Sequence, residues 1–209
     1  MKYPCAGIIL AGGLNRRMAG QNKALLSVGD QPIIERQVAL FKELFDQVIL
    51  VTNQPLAFVS WECTIVSDLL PVRGSLTGIH TGLFYTRSSH AFISACDMPF
   101  LKTEMIQVLV QELEPKWDVI LPVTQKGYQP LCAVYSKRCF KVIEEQLTKG
   151  DMKISNFFSK VKIKKIPEEI LRKIDPDLIS FFNINSQEDL TLSQKMRGAF
   201  ADGRSKSRP

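Results

Sequence analysis

Between Leu10 and Lys23 the chain sets three glycines, Gly12, Gly13 and Gly20, among three cations, Arg16, Arg17 and Lys23. Glycines let a backbone approach an anion closely and turn its N–H groups inward. Arginine and lysine add forked hydrogen bonds and point charge to phosphate oxygens. The loop follows Ala6 to Leu10, an apolar run that reads as a buried strand, and leads into Ala24-Leu25-Leu26. A strand followed by a glycine-rich basic loop suits a nucleoside triphosphate. A surface turn with its charges in water is the plainer alternative. Ala24 follows Lys23, so there is no G-x-x-x-x-G-K-[ST] phosphate loop, and no G-x-G-x-x-G follows the strand.

Asp97 stands after the apolar run Ala91 to Cys96 and two residues before Pro99. A carboxylate at a strand end can hold Mg2+, which keeps several waters and takes other ligands from substrate phosphates. There it would neutralise charge on an α-phosphate as pyrophosphate leaves. The other reading is an Asp that starts a turn by bonding its own backbone. Asp68, after Cys63 to Val66, and Asn53, after Val48 to Val51, carry the same two readings: a nucleotide contact or a turn residue. His80 and His90 have no catalytic partner by spacing, which argues against histidine-based chemistry. The five cysteines are odd in number, form no C-x-x-C and lie mostly in apolar runs, so they read as buried free thiols. Cys96 beside Asp97 is read the same way.

The first loop resembles the signature of the molybdenum cofactor guanylyltransferases, within the nucleotidyltransferase superfamily. Leu10, Ala11, Gly12, Gly13, Arg17, Met18, Gly20 and Lys23 match its pattern. Asn15, Ala19 and Asn22 stand where that pattern has Ser, Gly and an acidic residue. Cys96-Asp97-Met98-Pro99 is similar to the family's C-D-x-P motif, and Asn183-Ile184-Asn185 to its N-x-N motif. Arg73 to Gly78 looks like its G-P-L-A-G stretch, with Ser75 and Thr77 as departures. The resemblance implies GTP and molybdopterin as substrates, Mg2+ as cofactor and a guanine dinucleotide as product. It implies nucleotide contacts from Leu10, Ala11, Gly12, Gly13, Lys23, Asp68, Gly78 and Asp97, and catalytic roles for Arg17, Lys23 and Asp97. It further implies metal binding by Asp97 and molybdopterin contacts from Asn183 and Asn185. Gln129-Pro130 falls where the family carries a turn near the second substrate. The A-G-G form of the loop looks like the guanine-using branch. The rivals are a nucleotidyltransferase using CTP or a sugar phosphate, and a non-catalytic carrier of nucleotide or cofactor. Transient contacts with other cofactor-biosynthesis proteins or acceptor enzymes are expected.

Positioning these residues falls to an alternation of strand and helix patterns. Gln31-Pro32 opens a helix with Ile34, Val38, Phe41 and Phe45 on one face. Val48 to Val51, Cys63 to Val66 and Ala91 to Cys96 read as strands, and Ser75 to Tyr85 as a helix. Thr103 is expected to cap a helix whose inner face is Ile106, Leu109, Val110 and Leu113. Strands at Val119 to Val123 and Leu131 to Tyr135 flank a turn at Gly127 to Pro130, before a helix from Lys137 to Thr148 that closes near Gly150. A short helix at Ile154 to Phe158 and a final strand at Phe181 to Asn185 follow. Ser186 to Asp189 reads as a capping box. The pattern predicts a single Rossmann-like three-layer α/β domain with a mostly parallel sheet covered on both faces. Ligands of such sheets bind beyond the carboxyl ends of the strands, where Gly12, Asp68 and Asp97 fall.

With 209 residues and 45% hydrophobic content, one sizeable core is expected. The domain is assigned to residues 1–199, with 200–209 as a flexible basic tail. The formal charge of +6 is concentrated in that tail and in Lys160 to Lys165. The latter alternates with Val161 and Ile163 as an edge strand would. Neither run is interleaved with stacking aromatics, which argues against nucleic acid as partner. Absence of a membrane-length apolar run and of a signal peptide leads to the expectation of a cytoplasmic protein.

Overall fold

A computed structural model of the chain describes residues 2–12 and 23–201, with side chains as far as 196. Gly13, Arg16, Arg17, Met18, Gly20 and the tail from 202 lie outside the described residues. Strands β1 (Ala6–Leu10), β2 (Val48–Val51), β3 (Thr64–Val66), β4 (His90–Ala95), β5 (Val119–Thr124), β6 (Gly127–Tyr128), β7 (Cys132–Ser136) and β8 (Ile163–Pro167) form one sheet. The helices are α1 (Ile33–Leu44), α2 (Ser75–Tyr85), α3 (Thr103–Gln111), α4 (Cys139–Thr148), α5 (Glu168–Ile174) and α6 (Gln187–Ala201). The strand order is β3-β2-β1-β4-β7-β5, with β6 continuing the β7 side of β5 and β8 on its other side. β1 pairs in parallel with both β2 and β4, and β2 with β3. β7 runs antiparallel to β4 and β5, and β8 parallel to β5, so only β6 and β7 oppose the common direction.

Alternation along the strands sends side chains to opposite faces. Ile8 and Leu10 of β1, with Ile49, Val51 and Ile93, pack against Leu76, Ile79 and Leu83 of α2 and Ile143 of α4. Ile9, Leu50 and Phe92 face the other way, onto Val38 and Phe41 of α1 and Ile106 and Leu109 of α3. Phe41, Phe45 and Phe92 are fully buried, with ring centroids 5.3–6.1 Å apart. Truncating one of them to Ala would cost about 3–5 kcal/mol. Gly7 is required by this packing, since a Cβ there would lie 2.5 Å from Phe45 and 2.6 Å from Phe41.

Several local expectations are corrected. Helix α3 starts at Thr103, with Lys102 as N-cap and no side-chain cap bond; the Lys102 amide donates instead to the Ser180 hydroxyl. Phe181 to Asn185 is not a strand. Phe181 ends a 3-10 turn, and Ile184 N donates to the Asp97 carbonyl. The apolar alternation there serves a small separate cluster of Val28, Ile33, Ile184 and Leu190. The last strand is β8, whose Lys164 pairs with Glu112. Helix α5 was not expected, although Glu168 and Glu169 in its first turn and Arg172 and Lys173 in its last suit the helix dipole. The capping box forms as expected: Asp189 N donates to Ser186 Oγ, and Ser186 N to Asp189 Oδ2. Helix α6 continues to Ala201, past the 199 boundary expected for the domain.

Candidate functional site

Because β1, β2, β3 and β4 share a direction, their carboxyl ends make one rim. Ala11-Gly12 leaves β1, Thr52-Asn53 leaves β2, Ser67-Asp68 leaves β3 and Cys96-Asp97 leaves β4. Asp68 and Asp97 stand three strand spacings apart, about 14 Å. Gly12 and Asn53 lie between them. Asn53 Nδ2 donates to Asp68 Oδ2 at 2.7 Å, and Asp68 N donates back to Asn53 Oδ1 at 3.3 Å. A Cβ on Gly12 would lie 3.7 Å from that Asn53 amide. Burial pushes the Asp68 carboxyl up, opposed by Asn53, Arg73 and His80. The reciprocal Asn53–Asp68 pair was not foreseen; two polar residues each following a parallel strand were its only signal.

At the other end, Lys23 Nζ donates to Asn185 Oδ1 at 2.9 Å and lies 3.6 Å from Asp97 Oδ2. Their side chains are shielded, Lys23 to 16% and Asp97 to 19% exposure. Burial raises the Asp97 carboxyl above its usual range, while the Lys23 ammonium pulls it down. Ile184 N, bonded 3.0 Å from the Asp97 carbonyl, anchors the Asn183-Ile184-Asn185 segment to this turn. Asn183 donates its amide to the Phe181 carbonyl at 3.2 Å, while Asn185 accepts from Lys23. From α1, Gln37 Nε2 donates to the carbonyls of Ala95 (2.9 Å) and Met98 (3.2 Å), and Arg36 to that of Pro99 (3.2 Å).

Other sequence candidates have surroundings of their own. Gly78 is buried in α2, and a Cβ there would meet Leu10 Cδ2 at 3.1 Å, so α2 packs closely on the end of β1. Ala11 N bonds Val51 O, Ala11 O accepts from Thr52, and Leu10 O accepts from Cys96 N, which fixes the rim's backbone. Gln129 is bonded to Thr124 within the β5–β6 hairpin. Burial, reinforced by the Asp97 charge, pushes the Cys96 thiol far up, away from nucleophilic chemistry. His90 begins β4, at the opposite end of the strand from Asp97. Gly13 and Arg17 lie outside the described residues.

The donor set fits Mg2+ in one particular way. Among the described residues no three His, Cys, Asp or Glu side chains form a metal cage. A single shielded carboxylate is enough for Mg2+ when phosphates and waters complete the shell. Asp97, four-fifths shielded at its strand end, has the chemistry such a site would need.

Residues 7–164 match the MobA-like NTP transferase domain. The chain belongs to this family. It is 43% identical to the molybdenum cofactor guanylyltransferase of Desulfosudis oleivorans, over 95% of this chain and 96% of that one. Identity to the probable molybdenum cofactor guanylyltransferase of Natranaerobius thermophilus is 37%, over 92% and 96%. Among solved structures, molybdopterin-guanine dinucleotide biosynthesis protein A from Archaeoglobus fulgidus superposes with a TM-score of 0.83, at 29% identity and covering 92% and 98%. The fold expectation is thereby met: a single α/β domain with a mixed, mostly parallel sheet flanked by helices. The MobA-like match spans β1 to β8 and so takes in Lys23, Asp68 and Asp97, while Asn183 and Asn185 lie beyond it.

Proposed function

We propose that this MobA-like transferase moves GMP from GTP to the terminal phosphate of molybdopterin, with Mg2+ bound at Asp97. A molybdopterin phosphate oxygen bonds to the α-phosphorus of GTP, and the bond from that phosphorus to the bridging β-phosphate oxygen breaks. Pyrophosphate leaves, and the product is a guanine dinucleotide of the cofactor. The observation that carries this reading is the convergence of Lys23, Asp97 and Asn185, since it sets a cation, a carboxylate and the C-terminal amide motif together. The likeness to guanylyltransferases over nearly the whole chain supports the same assignment.

Lys23 balances phosphate charge and holds Asn185 in place. Asp97 would hold Mg2+, which when bound would add positive charge to offset the negative charge developing on the phosphates. Asp68, locked by Asn53, marks the nucleoside end of the rim, and Gly12 leaves room between. Leu10, Ala11 and Gly78 serve the nucleotide by shaping that rim. Gly13 and Arg17 belong to the phosphate loop by their motif positions. Catalysis is mainly positioning and electrostatics, as in other phosphoryl transfers. The transferase unit is assigned to about the first 199 residues, with the end of α6 running two residues further into the basic tail, and a cytoplasmic location suits its substrates. Among the described residues no helix is long and apolar enough to cross a membrane.

Pyrophosphate release from GTP with Mg2+ and molybdopterin tests this reading, with CTP as the competing nucleotide. Release with GTP alone among nucleotides is expected. Preference for CTP would select a cytidylyltransferase, and GTP binding without release would make the chain a carrier.

A further inference from the structure

The turn that carries Asp97 leaves the sheet after Ala95, so its carbonyls lose their ladder partners. Buried carbonyls need donors, and helix α1 provides them. Gln37, 2% exposed, spans the turn with one nitrogen: Nε2 bonds Ala95 O before Asp97 and Met98 O after it. Its neighbour Arg36 bonds Pro99 O at 3.2 Å through one guanidinium nitrogen and Val28 O at 3.0 Å through another. Val28 lies on the segment that leaves Lys23, and it shares a small apolar cluster with Ile184. With Ile184 N on the Asp97 carbonyl, residues 95, 97, 98 and 99 all have assigned donors.

Gln37 lies on the face of α1 that also buries Ile34, Val38 and Phe41, where an apolar side chain would pack without a polar group. Its Oε1 is buried with no hydrogen-bond partner. An apolar residue of similar length would avoid that unpaired oxygen, so core packing alone does not account for an amide here. What it uniquely supplies is a donor joining the two ends of the Asp97 turn.

We propose that Gln37, seconded by Arg36, is a positioning residue that fixes the Asp97 turn against Lys23 for nucleotidyl transfer. This rests on the functional reading above, but the tether itself does not. Misplacement of a reacting group by about 1 Å can cost on the order of 100-fold in rate.

The test compares the full-length protein with Gln37→Met, which keeps length and burial and removes both donors. Turnover with GTP, Mg2+ and molybdopterin is expected to fall at least about tenfold, with KM for GTP within about twofold, because positioning acts on the reacting geometry rather than on nucleotide binding. Amide exchange at Ile184 and Cys96, whose N–H groups meet Asp97 O and Leu10 O, is expected to quicken, while Ile49 in β2 keeps its protection. Unchanged turnover in Gln37→Met beside an active parent would overturn the positioning role, and so would a fall carried by KM alone. Unchanged exchange at Ile184 would overturn the tether. A parent that releases no pyrophosphate would sink the functional reading instead, and exchange would still decide whether Gln37 holds the turn.

Discussion

Replacing Asp97 with Asn separates charge from shape at the centre of the site. The carboxylate lies 3.6 Å from Lys23 Nζ and is four-fifths shielded from solvent. At an effective dielectric of about 20, two unit charges near that distance attract by about 4 kcal/mol, an upper figure for a pair that water still reaches. Little of this is lost from folding stability. Burial already penalises the ionised Asp97, and Lys23 keeps its 2.9 Å bond to Asn185. The sign is fixed by the direction of the shift: a carboxyl raised in the folded state costs stability once ionised, so the cost is present above its folded pKa and disappears as pH falls below the unfolded one. Asp97→Asn therefore melts at or above the parent temperature at neutral pH. Catalysis is expected to behave differently, because the proposed function gives this charge the task of holding Mg2+. Losing one preorganised electrostatic element costs about 3–4 kcal/mol of transition-state stabilisation, or roughly 100–1000-fold in turnover. Initial rates of pyrophosphate release, with GTP affinity measured separately by calorimetry, give both halves. A variant within tenfold of the parent rate, or one that melts far below it, would refute the assignment.

Lys23→Met removes the cation that lowers the Asp97 proton affinity, so the acid limb of the pH–rate profile is expected to move to higher pH. An unmoved limb would separate Lys23 from Asp97. Gly82→Ala puts a Cβ 2.7 Å from Ile8 and would cost about 1–3 kcal/mol by overpacking, read by urea unfolding. His80 is buried, stacks on Phe140 at 4.3 Å and lies 3.5 Å from Glu144 Oε1. Burial lowers its pKa from the usual 6.5 while Glu144 and Asp68 pull it up, so the unfolded chain takes the proton first. Stability is then lost as pH falls below about 6.5, and His80→Phe should flatten that slope on the acid side of the usual histidine value.

The sequence was most legible where periodicity and topology agree. Ala6 to Leu10, Val48 to Val51 and the helix Ser75 to Tyr85 could be bounded closely because each has an uninterrupted apolar run or helical period. Parallel strand order then makes a rim from residues that each follow a strand, which is why Gly12, Asp68 and Asp97 could be grouped without a distance. The reading failed where a local pattern served a different partner. Phe181 to Asn185 alternates as a strand does, yet its backbone meets the rim through Ile184 N on Asp97 O rather than through a strand ladder, and Ile184 is buried in a cluster apart from the sheet. For Gly78, in a motif stretch, the structure adds a neighbour the sequence could not name, Leu10, 3.1 Å from where a Cβ would lie. Sequence spacing carries no information on which of two close surfaces a glycine faces.

Arg36 and Gln37 show the same limit from the other side. Read along α1, Gln37 is a polar residue interrupting an apolar face; only the path of the chain after Ala95 turns it into a partner for two carbonyls. The residues joined here are distant in the chain: Gln37 from Met98 by 61 positions and Lys23 from Asn185 by 162. Motif reading could single out Lys23, Asp97 and Asn185, which the structure brings together, because their types are restrictive. The groups that hold them still are ordinary amides and guanidiniums, and their function exists only in the folded contact. The site therefore depends on two layers of order. The large clusters on either face set the strand ends, while a few side-chain donors and the small cluster around Ile184 bring Lys23, Asp97 and Asn185 within reach of one another. Damage to the second layer should reach the chemistry well before it reaches the fold.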